Sequence, residues 1–335
     1  MASCPTQAPE GNLAAVLSAA RDALSRGQRA SLAVVLETEG STYSRPGAAV
    51  LFGEGGQVGW LSGGCLEPEI EQRALAAARH GHIDWMEIDT RDDDALFSGG
   101  AVGCRGRQRI VLLPLNALPD IGPLLGAWLE GDGALTLQLD GTGNVVLQGA
   151  QTRQQWRLPD AQAAAPAQWH ASDPHWSLAW PRRSQLLLVG AGPEALPLHA
   201  AMTGLGWRVH VQEQRDDWQA RFAVPSALCR QPLAQVLHAL PDLDAVIVMQ
   251  HNFERDRDAL EQLALHPVPF VGLLGPQRRR EDLFTLLPGT AVAALQPRLR
   301  SPVGLSLGGR GPDAIALSIA AQLQAWRHGS PLAAA

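Results

Sequence analysis

The sequence predicts an α/β protein in two parts, an N-terminal mixed α+β domain followed by a C-terminal Rossmann-like, doubly wound parallel sheet. Three observations carry this expectation. From residue 184 onward, short apolar runs alternate with helical stretches, the pattern of parallel βαβ units. The segment "QLLLVGAGPEAL" sets Gly190, Gly192 and Ala195 on a G-x-G-x-x-A spacing between a strand and a helix. The first 150 residues have no such alternation, and their apolar runs are separated by Gly/Pro turns.

The elements follow in chain order. Residues 12–26 form an amphipathic helix, with Leu13, Val16, Leu17, Ala20 and Leu24 at helical spacing. "SLAVVLET" is a buried strand. "EGSTYSRPG" is a polar loop, and "AAVLF" with the turn "GEGG" makes a hairpin leading into "QVGWLSGG". The pattern turns helical from Leu66 to His80, with Pro68 tolerated in the first turn. "IDWMEID" and "RQRIVLLPL" are strands, a helix lies near 120–130, and "ALTLQLD" and "VVLQ" are strands separated by a turn. Residues 151–183 have no sustained period and several Pro/Ala breaks, so they read as a connector between domains 1–150 and 184–330. Beyond it come strands "QLLLVGAG", "WRVHVQE", "LDAVIVMQ" and "PFVGLLG", with helices over 193–205, 254–265, 277–287 and 312–326.

Composition narrows the chemistry. All 27 basic residues are arginine, so no Schiff-base lysine and no P-loop lysine is available. A net charge of -6 argues against a general nucleic-acid binder. The N-terminus has no apolar signal core, and no apolar run approaches a membrane span. Four cysteines without close pairing suit a reducing cytoplasm, and no close Cys/His set supplies a structural zinc site.

Within that frame the candidate site residues fall into two groups. In "LSGGCLEPE", the Ser62-Gly63-Gly64 backbone can turn several N–H groups toward one point, an anion nest at a helix start. Cys65 in that field has its thiolate favoured, the form that ligates soft metals or attacks electrophiles, with Glu67 partly opposing the shift. Cys104, followed by Arg105, lies in a second glycine-rich stretch, "SGGAVGCRG", entering a strand. In the second half, Gly190 and Gly192 would bring backbone close to a pyrophosphate, and Glu213 ends the next strand, where an acid bonds a ribose hydroxyl. His251 and the run Arg278, Arg279, Arg280 follow other strand ends, where ligands of open sheets collect. Arginines at a helix start oppose the dipole unless an anion or a neighbouring acid offsets them.

The segments "ETEGSTYSRPGAAVLF", "GWLSGGCLEPEI", "VGCRG", "LLLVGAGPEALPLHAAMTGLGWRV", "VMQHNFERD", "VGLLGPQRRRE" and "SPVGLSLGGRGPDAIALSIAAQL" resemble, in order, the XdhC/CoxI family, accessory proteins of xanthine dehydrogenase and related molybdenum hydroxylases. The resemblance implies a protein that binds the molybdenum cofactor (molybdopterin), protects it during sulfuration by a cysteine desulfurase, and inserts it into an apo molybdenum hydroxylase. It carries over Cys65 and Cys104, the candidate metal ligands, and a homodimer; beside it, the reading of the residues gives Ser62, Gly63, Gly64, Glu67, Arg105, Gly190, Gly192, Glu213, His251 and Arg278 as candidate cofactor contacts, and composition gives a cytoplasmic protein with no nucleic-acid or membrane partner. Arg105 departs from the family's usual glycine, and Glu213 stands where an Asp is frequent. The competing expectation is an NAD(P)-dependent oxidoreductase built on Gly190, Gly192 and Glu213, with His251 as its acid/base. A third is an interaction scaffold whose ligand sites have decayed.

Overall fold

The computed structural model describes residues 12–64, 66–91, 105–159 and 175–329. The chain divides into two compact units, Met1–Arg183 and Ser184–Ala335.

In the first unit, helix α1 (Leu13–Ser25) starts where the Asn12 side chain accepts the Ala15 N–H at 3.0 Å, and it buries Leu13, Val16, Leu17 and Ala20. Strands β1 (Ala30–Gly40), β2 (Ala49–Gly53) and β3 (Gly56–Val58) precede helix α2 (Glu67–His80), which ends at left-handed Gly81 (φ 69°). Strands β4 (Asp84–Asp89) and β5 (Gly106–Pro114) complete an antiparallel sheet of order β3-β2-β1-β5-β4.

Alternation along β5 sorts its side chains between the two sheet faces. Ile110 and Leu112 pack with Ile70, Ala74 and Ala77 of α2, while Val111 and Leu113 join the core made with α1. Arg107 and Arg109 share the α1 side. Arg107 pairs with Glu87, Arg109 pairs with Glu87 and Glu37, and the Trp176 indole donates to Glu37 at 2.7 Å. A bulge between Val35 and Glu37 resets β1 so that Glu37 lies opposite Arg109.

Helix α3 (Ile121–Leu129) and a second antiparallel sheet follow, made of β6 (Leu135–Asp140), β7 (Asn144–Gln148), β8 (Arg153–Arg157) and β9 (His175–Trp180) in order β8-β7-β6-β9. The stretch 151–183 is therefore more than a connector. Strand β8 is hidden in the sequence because it reads Arg-Gln-Gln-Trp-Arg, with a single apolar residue to mark the inner face, while β9 does alternate, with Trp176, Leu178 and Trp180 on one side. Pairing to β7 and β6 makes them strands, and Trp156, Trp176, Leu178 and Trp180 then pack on the α1 core. The Trp180 indole, 2% exposed, donates to the Gly47 carbonyl at 2.8 Å.

The second unit has the expected α/β architecture. Six parallel strands, β10 (Gln185–Val189), β11 (Arg208–Gln212), β12 (Leu228–Cys229), β13 (Ala245–Val248), β14 (Phe270–Leu273) and β15 (Leu299–Arg300), lie in order β12-β11-β10-β13-β14-β15. One face carries α4 (Ala195–Gly204) and α10 (Pro312–Arg327). The other carries α6 (Leu233–Ala239), α7 (Phe253–Ala264), α8 (Gln277–Leu286) and α9 (Gly289–Leu295). A one-and-a-half-turn helix, α5 (Asp216–Arg221), follows β11. The strand order reverses between β10 and β13, so a crevice opens at their C-terminal ends. Short pieces such as α6, α9, β12 and β15 were not expected from the sequence, because two to seven residues are too few to show a period. Among the described residues no helix is long and apolar enough to cross a membrane.

If β9 belongs to the first core, Trp180→Ala should cost about 3–5 kcal/mol in a urea titration, as for other buried aromatics. Trp180→Phe, which keeps the ring but orphans the Gly47 carbonyl, should cost about 1–3 kcal/mol.

Candidate functional site

The loop that enters α2 is organised by a single carboxylate. Glu67, the first residue of the helix and 4% exposed, folds back under the loop. Its Oε1 accepts the N–H groups of Leu61 (3.1 Å) and Ser62 (2.7 Å), and its Oε2 accepts the Gly64 N–H (3.1 Å) and the Ser62 hydroxyl. Ser62 Oγ also takes the Leu66 N–H at 3.2 Å, and the Ser44 hydroxyl holds the Leu61 carbonyl at 2.9 Å. A first-turn acid is favoured by the helix dipole, and this one satisfies loop donors as a capping glutamate does. Burial pushes the Glu67 carboxyl up, but the bonds from the Ser62 hydroxyl and from the Ser62 and Leu61 amides outweigh it and hold the group below its ordinary value.

This geometry corrects the anion-nest expectation. The amides of Ser62 and Gly64 converge on an anion, but the anion is the chain's own Glu67. Gly64 adopts φ 101°, which only glycine takes without strain, and a Cβ built on Gly63 or Gly64 would meet no atom within 4 Å. The loop thus turns its donors inward and an open, exposed backbone outward. Cys65 and Cys104 lie outside the described residues. Arg105, exposed, stands directly before β5, and its carbonyl accepts the Ser41 N–H at 2.9 Å. Among the described residues no group of three or more His, Cys, Asp or Glu side chains is placed to share a metal ion.

Beside this loop lies a small depression, with Leu61, Leu66 and Ile88 as apolar walls and Tyr43, Gly63 and Gln108 of β5 in its lining. Gln108 did not stand out in the sequence, although a polar residue two before Ile110 in a buried strand is the signal that could have found it.

In the second unit the crevice brings Gly190, Gly192, Glu213 and His251 together, and again a carboxylate fills the loop. Glu213, 1% exposed, accepts the Ala191 N–H at 3.0 Å, the Gln214 and Arg215 N–H groups at 2.9 Å, and two bonds from the Arg215 guanidinium at 2.9 and 2.6 Å. Burial pushes its carboxyl up, and the Arg215 and Ala191 donors bring it below the ordinary range. Five donors on two buried oxygens leave Glu213 no exposed acceptor for a ribose hydroxyl. The glycines have internal reasons as well. A Cβ on Gly190 would stand 2.8 Å from the Met249 carbonyl oxygen, and one on Gly192 would stand 3.1 Å from the His251 ring. His251 follows β13 with φ 55°, a left-handed conformation uncommon for a non-glycine residue, and its Nε2 lies 3.0 Å from Glu194 Oε2. Glu194 is a second residue the motif reading missed.

The arginine run does not act as a unit. Arg279 pairs at 2.7 Å with Asp256, which is 1% exposed and also accepts the Gln250 N–H. Arg280 donates to the Ser301 carbonyl at 3.1 Å, while Arg278 is exposed. Arg279, rather than Arg278, joins α8 to the crevice, and Asp256 supplies the offsetting charge. Burial pushes the Asp256 carboxyl up, with the Arg279 guanidinium pulling the other way.

Two consequences are measurable. Glu67 has a depressed folded-state pKa, so the stability it contributes is present above the ordinary glutamate value of about 4.3 and is lost as pH falls below it. Glu67→Gln should therefore be about 2 kcal/mol less stable than wild type at pH 7, with the gap closing by pH 3 in urea titrations. Arg279→Met also loses its penalty as pH falls, for a different reason and at higher pH. It strands a buried carboxylate at a cost of about 3–5 kcal/mol at pH 7, and the cost shrinks toward pH 5 as Asp256 takes up a proton.

Comparison with known proteins agrees with the order of these features. A family model described as XdhC and CoxI family matches residues 23–88, and one described as XdhC Rossmann domain matches residues 186–323. A Bacillus subtilis (strain 168) protein, named as a probable xanthine dehydrogenase subunit, is 28% identical over 325 residues, covering 88% of this chain and 92% of that protein. The uncharacterized protein YqeB of Escherichia coli (strain K12) is 28% identical over 156 residues, 44% of this chain and 28% of its own length. A crystal structure of a xanthine dehydrogenase from Bacillus halodurans, 24% identical, shares the fold with a TM-score of 0.73 over 96% of this chain and 98% of that one. With its loop-and-helix region and its Rossmann unit each matched by a model of the same family, the two together spanning more than half of its length, the chain belongs to the XdhC and CoxI family.

Proposed function

We propose that this protein binds the molybdenum cofactor and holds it for insertion into an apo-enzyme of the xanthine dehydrogenase type, a cysteine desulfurase acting on the cofactor while it is held. Family membership and the Bacillus subtilis relative support a maturation role. The observation that carries the cofactor itself is the Glu67-braced loop. It sets Gly64 and Leu66, the sequence neighbours of Cys65, at the start of a helix, and its exposed glycines leave room for a bulky ligand.

The donor set fits such a group. When bound, the cofactor supplies a soft, thiophilic molybdenum and an anionic phosphate tail. Cys65 is the residue to hold the metal side, because a thiolate suits a soft centre, and Cys104 is the second candidate. Glu67 acts through the loop: it engages the amides of Leu61, Ser62 and Gly64, which lead up to Cys65 in the sequence. Since those amides are engaged, the phosphate tail needs another counter-charge, and exposed Arg105 next to Cys104 is the guanidinium assigned to it in this reading. The dinucleotide alternative ranks lower, because Glu213 is buried and saturated and the His251 ring stands against Gly192.

Anaerobic ultrafiltration of the purified protein with molybdenum cofactor tests the reading. Wild type should retain molybdenum and pterin together, and Cys65→Ala should lose both. Equal retention by Cys65→Ala would remove that cysteine from the site. No retention by wild type, with NADPH bound instead, would overturn the proposal in favour of an oxidoreductase.

A further inference from the structure

Three separate features of the second unit hold the His251 ring in one place. The residue follows β13 in a left-handed conformation (φ 55°), uncommon for a residue with a Cβ, and the loop on either side of it is tied down. The Gln250 N–H donates to Asp256 at 3.2 Å, and Asn252 caps α7 by accepting the Arg255 N–H at 3.0 Å. Across the crevice between β10 and β13, Gly192 leaves room for the ring. A Cβ there would stand 3.1 Å from Cδ2 and 3.2 Å from Nε2. Glu194 completes the set, its Oε2 lying 3.0 Å from Nε2. A backbone outlier held this firmly raises the question of what the ring is placed to do.

The position of the proton follows from the partner. Glu194 is 6% exposed, and among the described residues the His251 ring is the one group that bonds its carboxylate. A buried carboxylate needs a donor, so the N–H sits on Nε2 and Nδ1 keeps a lone pair. The Cδ2–Nε2 edge faces Gly192, which turns Nδ1 to the opposite side of a ring that is half exposed. Among the described residues no donor reaches Nδ1. A carboxylate behind an imidazole fixes its tautomer and raises the basicity of the outer nitrogen. The result is an oriented acceptor at the C-terminal ends of the strands, where ligands of open α/β sheets bind.

Charge narrows the ligand. Arg215 pairs with Glu213 and Arg279 with Asp256, so both guanidiniums at the crevice are already neutralised. The third carboxylate, Glu194, faces a ring that carries no net charge in this tautomer. A phosphate would meet no spare cation here and a carboxylate behind the ring, whereas a neutral hydroxyl has only a hydrogen bond to gain. We propose that His251 Nδ1 accepts a sugar hydroxyl, so that the crevice is a site for a neutral ribonucleoside or pentose, with Glu194 as the positioning residue. The inference goes beyond the cofactor-binding reading, concerns the second unit alone, and stands or falls without that reading.

The test titrates the full chain with adenosine, ribose and AMP, followed by calorimetry and by the nitrogen NMR resonances of the His251 ring. Wild type is compared with His251→Asn and Glu194→Gln. Asparagine also adopts the left-handed backbone, so His251→Asn should fold. The free wild type should show a protonated Nε2 and an unprotonated Nδ1, and adenosine should shift the Nδ1 resonance. A pair with a merely structural role would leave that resonance unmoved by every ligand. AMP should bind no more tightly than adenosine. Both variants should bind adenosine about tenfold more weakly, the loss expected for one neutral hydrogen bond. Ribose binding as tightly as adenosine would support the site as one for the pentose, and weaker ribose binding would support it as one for the nucleoside. A proton on Nδ1 in the free protein, no saturable binding of either ligand, wild-type affinity in His251→Asn, or a preference for AMP would each overturn the assignment.

Discussion

The carboxylate of Glu67 is the constraint on which the candidate site depends. The chain between β3 and α2 is rich in glycine, and left to itself such a loop would sample many conformations. Buried under it, one ionised side chain takes three backbone N–H groups and one hydroxyl, which ties down the described part of the loop. Ser44 adds a tie from the preceding loop by holding the Leu61 carbonyl. A charge this poor in solvent is tolerable only because every oxygen is bonded. The same bonds keep it ionised at neutral pH. Glu67 thereby holds the described backbone of Leu61, Ser62 and Gly64 in place.

The second unit repeats the device on an unrelated loop. Glu213 closes on the Ala191 amide and on Arg215, while Gly190 and Gly192 are small because Met249 and His251 approach them closely. In both units a glycine-rich turn before a helix, which sequence alone marks as a place for a phosphate, has its amides engaged by an acid of the same chain. The consequence for ligand chemistry is direct. The amides of Leu61, Ser62, Gly64 and Ala191 are engaged by carboxylates of the chain itself, so an anion approaching either loop there would have to compete with Glu67 or Glu213.

Elements with enough residues to show a period were legible. The apolar spacing of Leu13, Val16, Leu17 and Ala20 gave α1, and the runs at β1, β5, β10 and β13 gave the strands that carry the two main sheets. What the sequence hid has physical reasons. Strand β8 holds one apolar residue and owes its form to pairing with β7, whereas β9 carries Trp176, Leu178 and Trp180 at every second position, a short alternation that was legible but not read. The role of Glu67 depends on a side chain turning back against the chain direction, and spacing alone registered it only as a charge near Cys65. The Ser62 and Gly64 amides converge on an anion, yet that anion is Glu67 of the same chain, where the sequence reading expected one from outside. Cys65 and Cys104 lie outside the described residues, so their reading rests on sequence and family.

The most direct measurement of the central claim is amide hydrogen exchange at Leu61, Ser62 and Gly64 by NMR, in the ligand-free protein with and without inorganic phosphate. If Glu67 occupies these donors, all three amides should be strongly protected without phosphate and unchanged when it is added. Rapid exchange in the free protein that slows on adding phosphate would contradict the account, because it would mean that the loop is an open anion site and that Glu67 does not hold it.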